Sequence, residues 1–264
     1  MLTFQQMLWG YRLEYPEDWT HRTIQQVEGF APDPLGLSPD ASGPGSGHLL
    51  IQAEWNGRRL PIGPLWESHI ARVAAMVGAH RVGSAPWTMG GGEGFETEIA
   101  LPKKTDERLW VGILARQDVL LKFMVTHPKG DRAWFEPAAT EILRSLVFLD
   151  SAEGIPVHTT GLPLPPGSRS ISPSEALVDL PDPDAWSVFD TPHSFDSLHA
   201  FYAREAPVHG WSIESFESFP HESDPGFSRV RLSRADHVLA LGLIPIRPDA
   251  PGLAWLGRIA IKVA

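Results

Sequence analysis

Glu96 and Glu98 sit two residues apart in GEGFETEIAL, alternating with Phe95, Thr97 and Ile99. In a strand this spacing puts both carboxylates on one face, roughly 7 Å apart, a separation that glycoside hydrolysis can use. The residues around them build no pocket, so a solvated strand face is the better reading and hydrolysis by this pair a minor alternative. GGGEG (Gly90–Gly94) has the composition of a phosphate-cradling loop. Such a loop must open a helix, and a P-loop must close on Lys-Ser/Thr. Here strand-like Phe95–Ile99 follows, and a hairpin turn is expected. His221-Glu222-Ser223-Asp224 offers three potential ligands but neither H-E-x-x-H spacing nor a regular acidic run, so it reads as a polar turn. Gly45-Ser46-Gly47 and Gly167-Ser168 lack the G-x-S-x-G elbow of a serine nucleophile. With no cysteine there is no thiol nucleophile and no thiolate metal site. The expectation is therefore a protein that is not an enzyme, with no catalytic residue, no metal site and no cofactor.

Charge narrows the partners. The net charge is −10, and Arg204 is the sole Lys or Arg between Asp182 and Asp224. Binding to a phosphate backbone or an anionic membrane needs clustered cations, so neither is expected. No apolar run approaches the ~20 residues of a membrane helix, and MLTFQQMLWG lacks the layout of a secretory leader. The chain as written is expected to be soluble and cytoplasmic, and exported or membrane-associated if a leader has been removed.

The elements that hold these residues follow from periodicity. Trp66, Ile70, Val73 and Val77 recur at helical spacing within Pro64–Ala79, as do Phe135, Ala138, Ile142 and Leu146 within Asp131–Phe148, with Asp131 as N-cap. Between them lie four strand-like runs, Arg81–Thr88, Gly94–Leu101, Leu109–Arg116 and Val119–Thr126, with Gln117-Asp118 as a hairpin connection. The second half repeats the order. A helix over Ser194–Ala206 stops at Pro207, and the runs Trp211–Phe219, Phe227–Arg234, His237–Ile246 and Trp255–Val263 follow, turning at Ala235-Asp236. The expected fold is α+β, two tandem units, each a helix packed on an antiparallel meander; one larger mixed sheet under three helices is the alternative. Ala31–Gly47, rich in Pro, Gly and Ser, reads as a mobile loop. The domain reading is 1–149, a Pro-rich linker over 150–183 with a short helix near Ser174–Val178, and 184–264.

The chain holds 10 Trp and 12 Phe, enough for a substantial core. Aromatics also anchor interfaces. If Leu109, Val111 and Ile113 face the core, Trp110 falls on the opposite face. It then forms either an exposed apolar strip with Leu114 or a face covered by a loop or the second domain. The strip makes Trp110 and Leu114 partner-binding candidates, and the aromatic helix faces add Trp66 and Phe201.

YRLEYPEDW (Tyr11–Trp19) alternates Tyr11, Leu13 and Tyr15 with Arg12 and Glu14, then breaks at Pro16. A strand ending in aromatic-x-x-x-Tyr-Pro-x-x-Trp resembles the first strand of the PsbP/Mog/DcrB-like superfamily, and EILRSLVF (Glu141–Phe148) resembles its closing helix. The resemblance covers about residues 4–149. It implies a PsbP/Mog-like α+β domain in which Pro16 starts a turn and Trp19 packs beneath the strand, with no catalytic residues to carry over. FYAREAPVHGW (Phe201–Trp211) more weakly resembles a helix-to-strand junction of domains appended to such proteins. The functional expectation is an accessory or scaffold protein that binds a protein partner through an exposed sheet face or edge. The alternative is a carrier of a small apolar ligand in a sheet–helix or interdomain cavity.

Overall fold

The computed structural model describes residues 1–32, 34–37, 48–79, 81–102, 107–128, 132–176, 180, 182–217, 228–247 and 255–264. The expected Asp131 cap, the His221–Asp224 turn and most of the Ala31–Gly47 loop lie outside them. The chain divides into two compact units, Met1–Gln6 with Tyr11–Leu149, and Met7–Gly10 with Asp150–Ala264.

The first unit runs β1 (Leu2–Gln6), β2 (Tyr11–Tyr15), β3 (Thr20–Ile24), β4 (Val27–Ala31), a short 3-10 turn (Pro34–Leu37) and β5 (Leu49–Trp55). It continues with α1 (Ile62–Val77), β6 (Arg81–Met89), β7 (Gly92–Ala100), β8 (Glu107–Arg116), β9 (Val119–Pro128), α2 (Arg132–Ser145) and β10 (Val147–Phe148). A 7-stranded antiparallel sheet has the order β3-β4-β5-β9-β8-β7-β6, and a 3-stranded sheet the order β1-β2-β10. Alternation decides what each face holds. Trp66, Ile70 and Val73 of α1 pack on Ile99, Leu109, Val111 and Ile113 from one face of the large sheet. The other face carries Trp110, Leu114 and, across from them on β9, Val125 and Leu121.

Two turns explain the local chain path. Pro16 begins a turn closed by the Trp19 N–H donating to its carbonyl at 3.0 Å, as the resemblance implied. Gly90 and Gly91 link β6 to β7 with φ of +59° and +86°, so GGGEG is a hairpin turn, as read from the sequence. At Gly90 space agrees with conformation, because a Cβ would lie 2.3 Å from the Leu146 carbonyl oxygen.

The second unit contains β11 (Arg169–Ile171), 3-10 turns at Pro173–Glu175 and Pro183–Ala185, β12 (Trp186–Ser194) and α3 (Phe195–Val208). β13 (Ser212–Glu217), β14 (Ser228–Arg234), β15 (His237–Ile246) and β16 (Leu256–Val263) follow, and the 6-stranded sheet has the order β11-β12-β16-β15-β14-β13. Ser194 caps α3, its hydroxyl accepting from the Ser197 N–H. α3 continues through Pro207 to Val208, two residues beyond the expected end at Ala206. The segment read as a linker is anchored in this unit: Ala176 and Leu180 pack against Trp186, Val188, Ile244 and Ala260.

The units share one connectivity. In each, a strand leads through a helix into a four-stranded meander whose last strand returns beside the first, giving β5-β9-β8-β7-β6 and β12-β16-β15-β14-β13. The helix-plus-meander pattern expected from the sequence is present twice. Single-sequence periodicity did not reveal the leading strands β5 and β12, nor β1, β3 and β4.

Candidate binding face

The four side chains expected to touch a partner are all buried. Trp66 is 1 % exposed, Trp110 4 %, and Leu114 and Phe201 0 %. The exposed apolar strip is therefore corrected. Trp110 stands edge-on to Trp87 at 5.2 Å, Trp87 stands edge-on to Phe123, and the Trp110 indole N–H donates to Glu96 at 2.9 Å. Large rings filling a face at 150–250 Å² each leave it no free apolar area. Trp66 lies parallel to Phe95 and donates to the Ser84 hydroxyl at 3.1 Å, while Phe201 packs edge-on to Tyr202. Glu96 and Glu98 are half-buried rather than solvated, and the indole bond explains Glu96.

Sequence reasoning also missed a buried polar cluster beneath β1 and β2. Glu28 is 4 % exposed and accepts from Thr23 at 2.7 Å, His21 at 2.8 Å and Gln6 at 3.0 Å. Burial pushes its carboxyl upward, and these hydrogen bonds outweigh that push, so it stays below the usual carboxylate range. Tyr11 sits close by with a phenol raised by burial and by the Glu28 charge. Glu28 is buried, while His21 and Gln6 are half-buried and Thr23 is exposed, so the cluster joins β1, β3 and β4 with one side toward solvent. In the second unit Glu205, 0 % exposed, accepts from Arg204 at 2.7 Å, the Ala152 N–H at 2.9 Å and Ser151 at 3.1 Å. Arg204 in turn donates to the carbonyls of Met7 and Leu8. These contacts pin Met7–Gly10 and the start of the 150s in place.

The second sheet differs from the first on its outer face. α3 covers the side carrying Val230, Leu232, Leu239, Leu241 and Ile261, all buried. The opposite side is closed at one end by Ala176 and Leu180. The register sets out a row, Ser215–Arg231–Ala240–Lys262–Trp186, strand by strand across the sheet, with Trp186 at the closed end and Ser215 and Arg231 exposed at the other. A second row runs Glu217–Arg229–Gly242–Ala260–Val188, of which Gly242, Ala260 and Val188 are buried and Glu217 and Arg229 exposed. Small side chains on β15, between longer ones on its neighbours, leave a trough, since β14 and β16 stand about 10 Å apart across it. Its volume is about 370 Å³, lined by Trp186, Ser215, Glu217, Arg229, Arg231, Val238 and Ala240 among others. Ser215, Glu217, Arg229 and Arg231 are exposed.

The charges on this face are mostly matched. Glu217 faces Arg229 in register, and Lys262 lies 3.6 Å from Asp182 and 5.9 Å from the Trp186 ring centre. Arg231 has no ion pair or hydrogen-bonding partner for its side chain among the described residues. Among those residues no group of three or more His, Asp or Glu is placed to hold a metal ion, and no helix is long and apolar enough to cross a membrane.

No protein-family model matches the sequence, and no curated protein is significantly similar to it. Solved structures are similar. Cyanobacterial PsbP (CyanoP) from Synechocystis aligns over 56 % of this chain and 91 % of its own, at 11 % identity and a TM-score of 0.42. The Saccharomyces cerevisiae Ran-binding protein Mog1p aligns over 56 % and 95 %, at 10 % identity and a TM-score of 0.38. The chain's own elements make its fold α+β. A Bacteroides thetaiotaomicron protein aligns over 92 % of this chain and 86 % of its own, at 12 % identity and a TM-score of 0.39.

Proposed function

We propose that this chain is a non-catalytic accessory protein that binds a protein partner through the open face of its second sheet. The observation that carries the reading is the trough along β15, a concave, solvent-facing stretch of sheet with an apolar floor and polar rim. A buried-core, polar-rim layout is the general anatomy of a protein interface. The contact thus moves from Trp110 and Leu114 in the first unit to Arg231 and Ala240 in the second. Trp66 and Phe201, which motivated the carrier reading, are buried against Phe95 and Tyr202.

The test is amine cross-linking of the full chain in its native lysate, followed by mapping of the linked lysines. Cross-links from Lys262 support this reading. Cross-links confined to Lys122, on the first sheet and paired there with Glu54, oppose it.

A further inference from the structure

We propose that the trough receives an extended acidic segment of a protein partner, with one carboxylate seated on the Arg231 guanidinium. This rests on the sheet-face reading above and adds the chemistry of the ligand.

Three observations converge. Arg231 is exposed at the rim and lacks a side-chain partner among the described residues, while Arg229 faces Glu217 and Lys262 is held by Asp182. A guanidinium presents a planar fork that matches a carboxylate in two parallel hydrogen bonds. Across from it in register, Ala240 keeps the floor low, so a peptide backbone can come close to the sheet. The trough lies open to solvent at about 370 Å³, room for a few residues of an extended chain.

Charge excludes the main competing polymer. A nucleic acid needs several cations free to replace its counterions, and among the described residues this face has one. On a chain of net charge −10 the cation-bearing rim is a local exception, so an acidic segment is drawn to this place and repelled elsewhere.

The experiment titrates the full chain with a blocked octapeptide of alternating Glu and Ala, its Gln/Ala counterpart, and free glutarate, read by calorimetry and NMR. Two variants accompany the wild type. Arg231→Gln removes the charge and keeps the shape, and Ala240→Tyr fills the trough with a strand-compatible neutral ring. Thermal melting checks that both fold. The Glu peptide is expected to bind the wild type and to weaken roughly ten-fold or more with Arg231→Gln, the loss of one charge-assisted pair. The Gln peptide is expected to be comparably weak, and Ala240→Tyr to abolish binding. Loss with Ala240→Tyr but not with Arg231→Gln overturns the carboxylate inference and leaves the face reading standing. No loss with either variant overturns both. Glutarate binding as tightly as the peptide overturns the peptide in favour of a free organic anion, and no binding of the Glu peptide to the wild type overturns the inference outright.

Discussion

The two units solve one topology with opposite treatments of the outer sheet face. In the first, the central strand β8 presents Trp110, Gly112 and Leu114 on the side away from α1, and Trp87 and Phe123 close over them. In the second, the central strand β15 presents Val238, Ala240 and Gly242 on the side away from α3, flanked by Arg229 and Arg231. Large rings on one face make a core, and small floors with long charged neighbours make a trough. The same connectivity therefore yields a closed unit and an open one, and the difference lies in side-chain size at a handful of alternate positions. Fold alone does not say which sheet meets a partner.

If the first face is core, its loss is a stability event. Trp110→Ala is expected to destabilise the first unit by about 3–5 kcal/mol, the usual range for deleting a buried aromatic. Denaturant unfolding checks this, and a near-neutral result would reopen that face as a surface. Gly90→Ala combines a positive φ with a clash against the Leu146 carbonyl and is expected to cost about 2–3 kcal/mol in the same assay.

Acid sharpens the comparison in the second unit. His199 is buried, its Nδ1–H donating to the Phe195 carbonyl at 2.8 Å and its Nε2 2.9 Å from the Ser228 hydroxyl. Burial pushes its pKa down to about 4. The unfolded chain then binds more protons between pH 6.5 and 4, so stability is full above the unfolded value and is lost as pH falls through that window. His69 in the first unit, also lowered to about 4 by burial and by the Lys122 charge, adds to the loss in the same direction. Melting temperature against pH is expected to fall steeply from 6.5 to 4, and His199→Gln to flatten part of the slope.

The smallest effects belong to the open unit. Ala235 turns the β14–β15 hairpin at φ +50°, and Ala235→Gly is expected to stabilise by about 0.5–1 kcal/mol. Arg231→Ala, at an exposed position with no side-chain partner among the described residues, is expected to change stability by less than about 0.5 kcal/mol, which separates a binding residue from Trp110.

Much of this fold was legible in advance. Helical spacing marked α1 and α3, and alternation marked the four strands of each meander, because a helix stripe and a strand face each leave a period in the sequence. β12 was hidden because it is buried on both faces, Val188 beneath Ala176 and Leu180, and Phe189 on the α3 side. Periodicity is weak in such strands. The β2 phrase YRLEY was clear, whereas its partner β1 is paired along its length and largely exposed, with little pattern to read. The site was not legible. Trp110 was placed on the correct face, but whether that face is covered depends on contacts between residues distant in sequence, such as Trp87 and Phe123. The trough depends on the small Ala240 lying across from Arg231, a register that only the folded sheet supplies.

The most direct test of the open-face account is to capture partners from native lysate with wild type, Ala240→Tyr and Leu114→Ala, each confirmed as folded. The account predicts that a partner held by the wild type is lost with Ala240→Tyr and kept with Leu114→Ala. The opposite pattern, retention with Ala240→Tyr and loss with folded Leu114→Ala, would contradict it and return the contact to the first sheet.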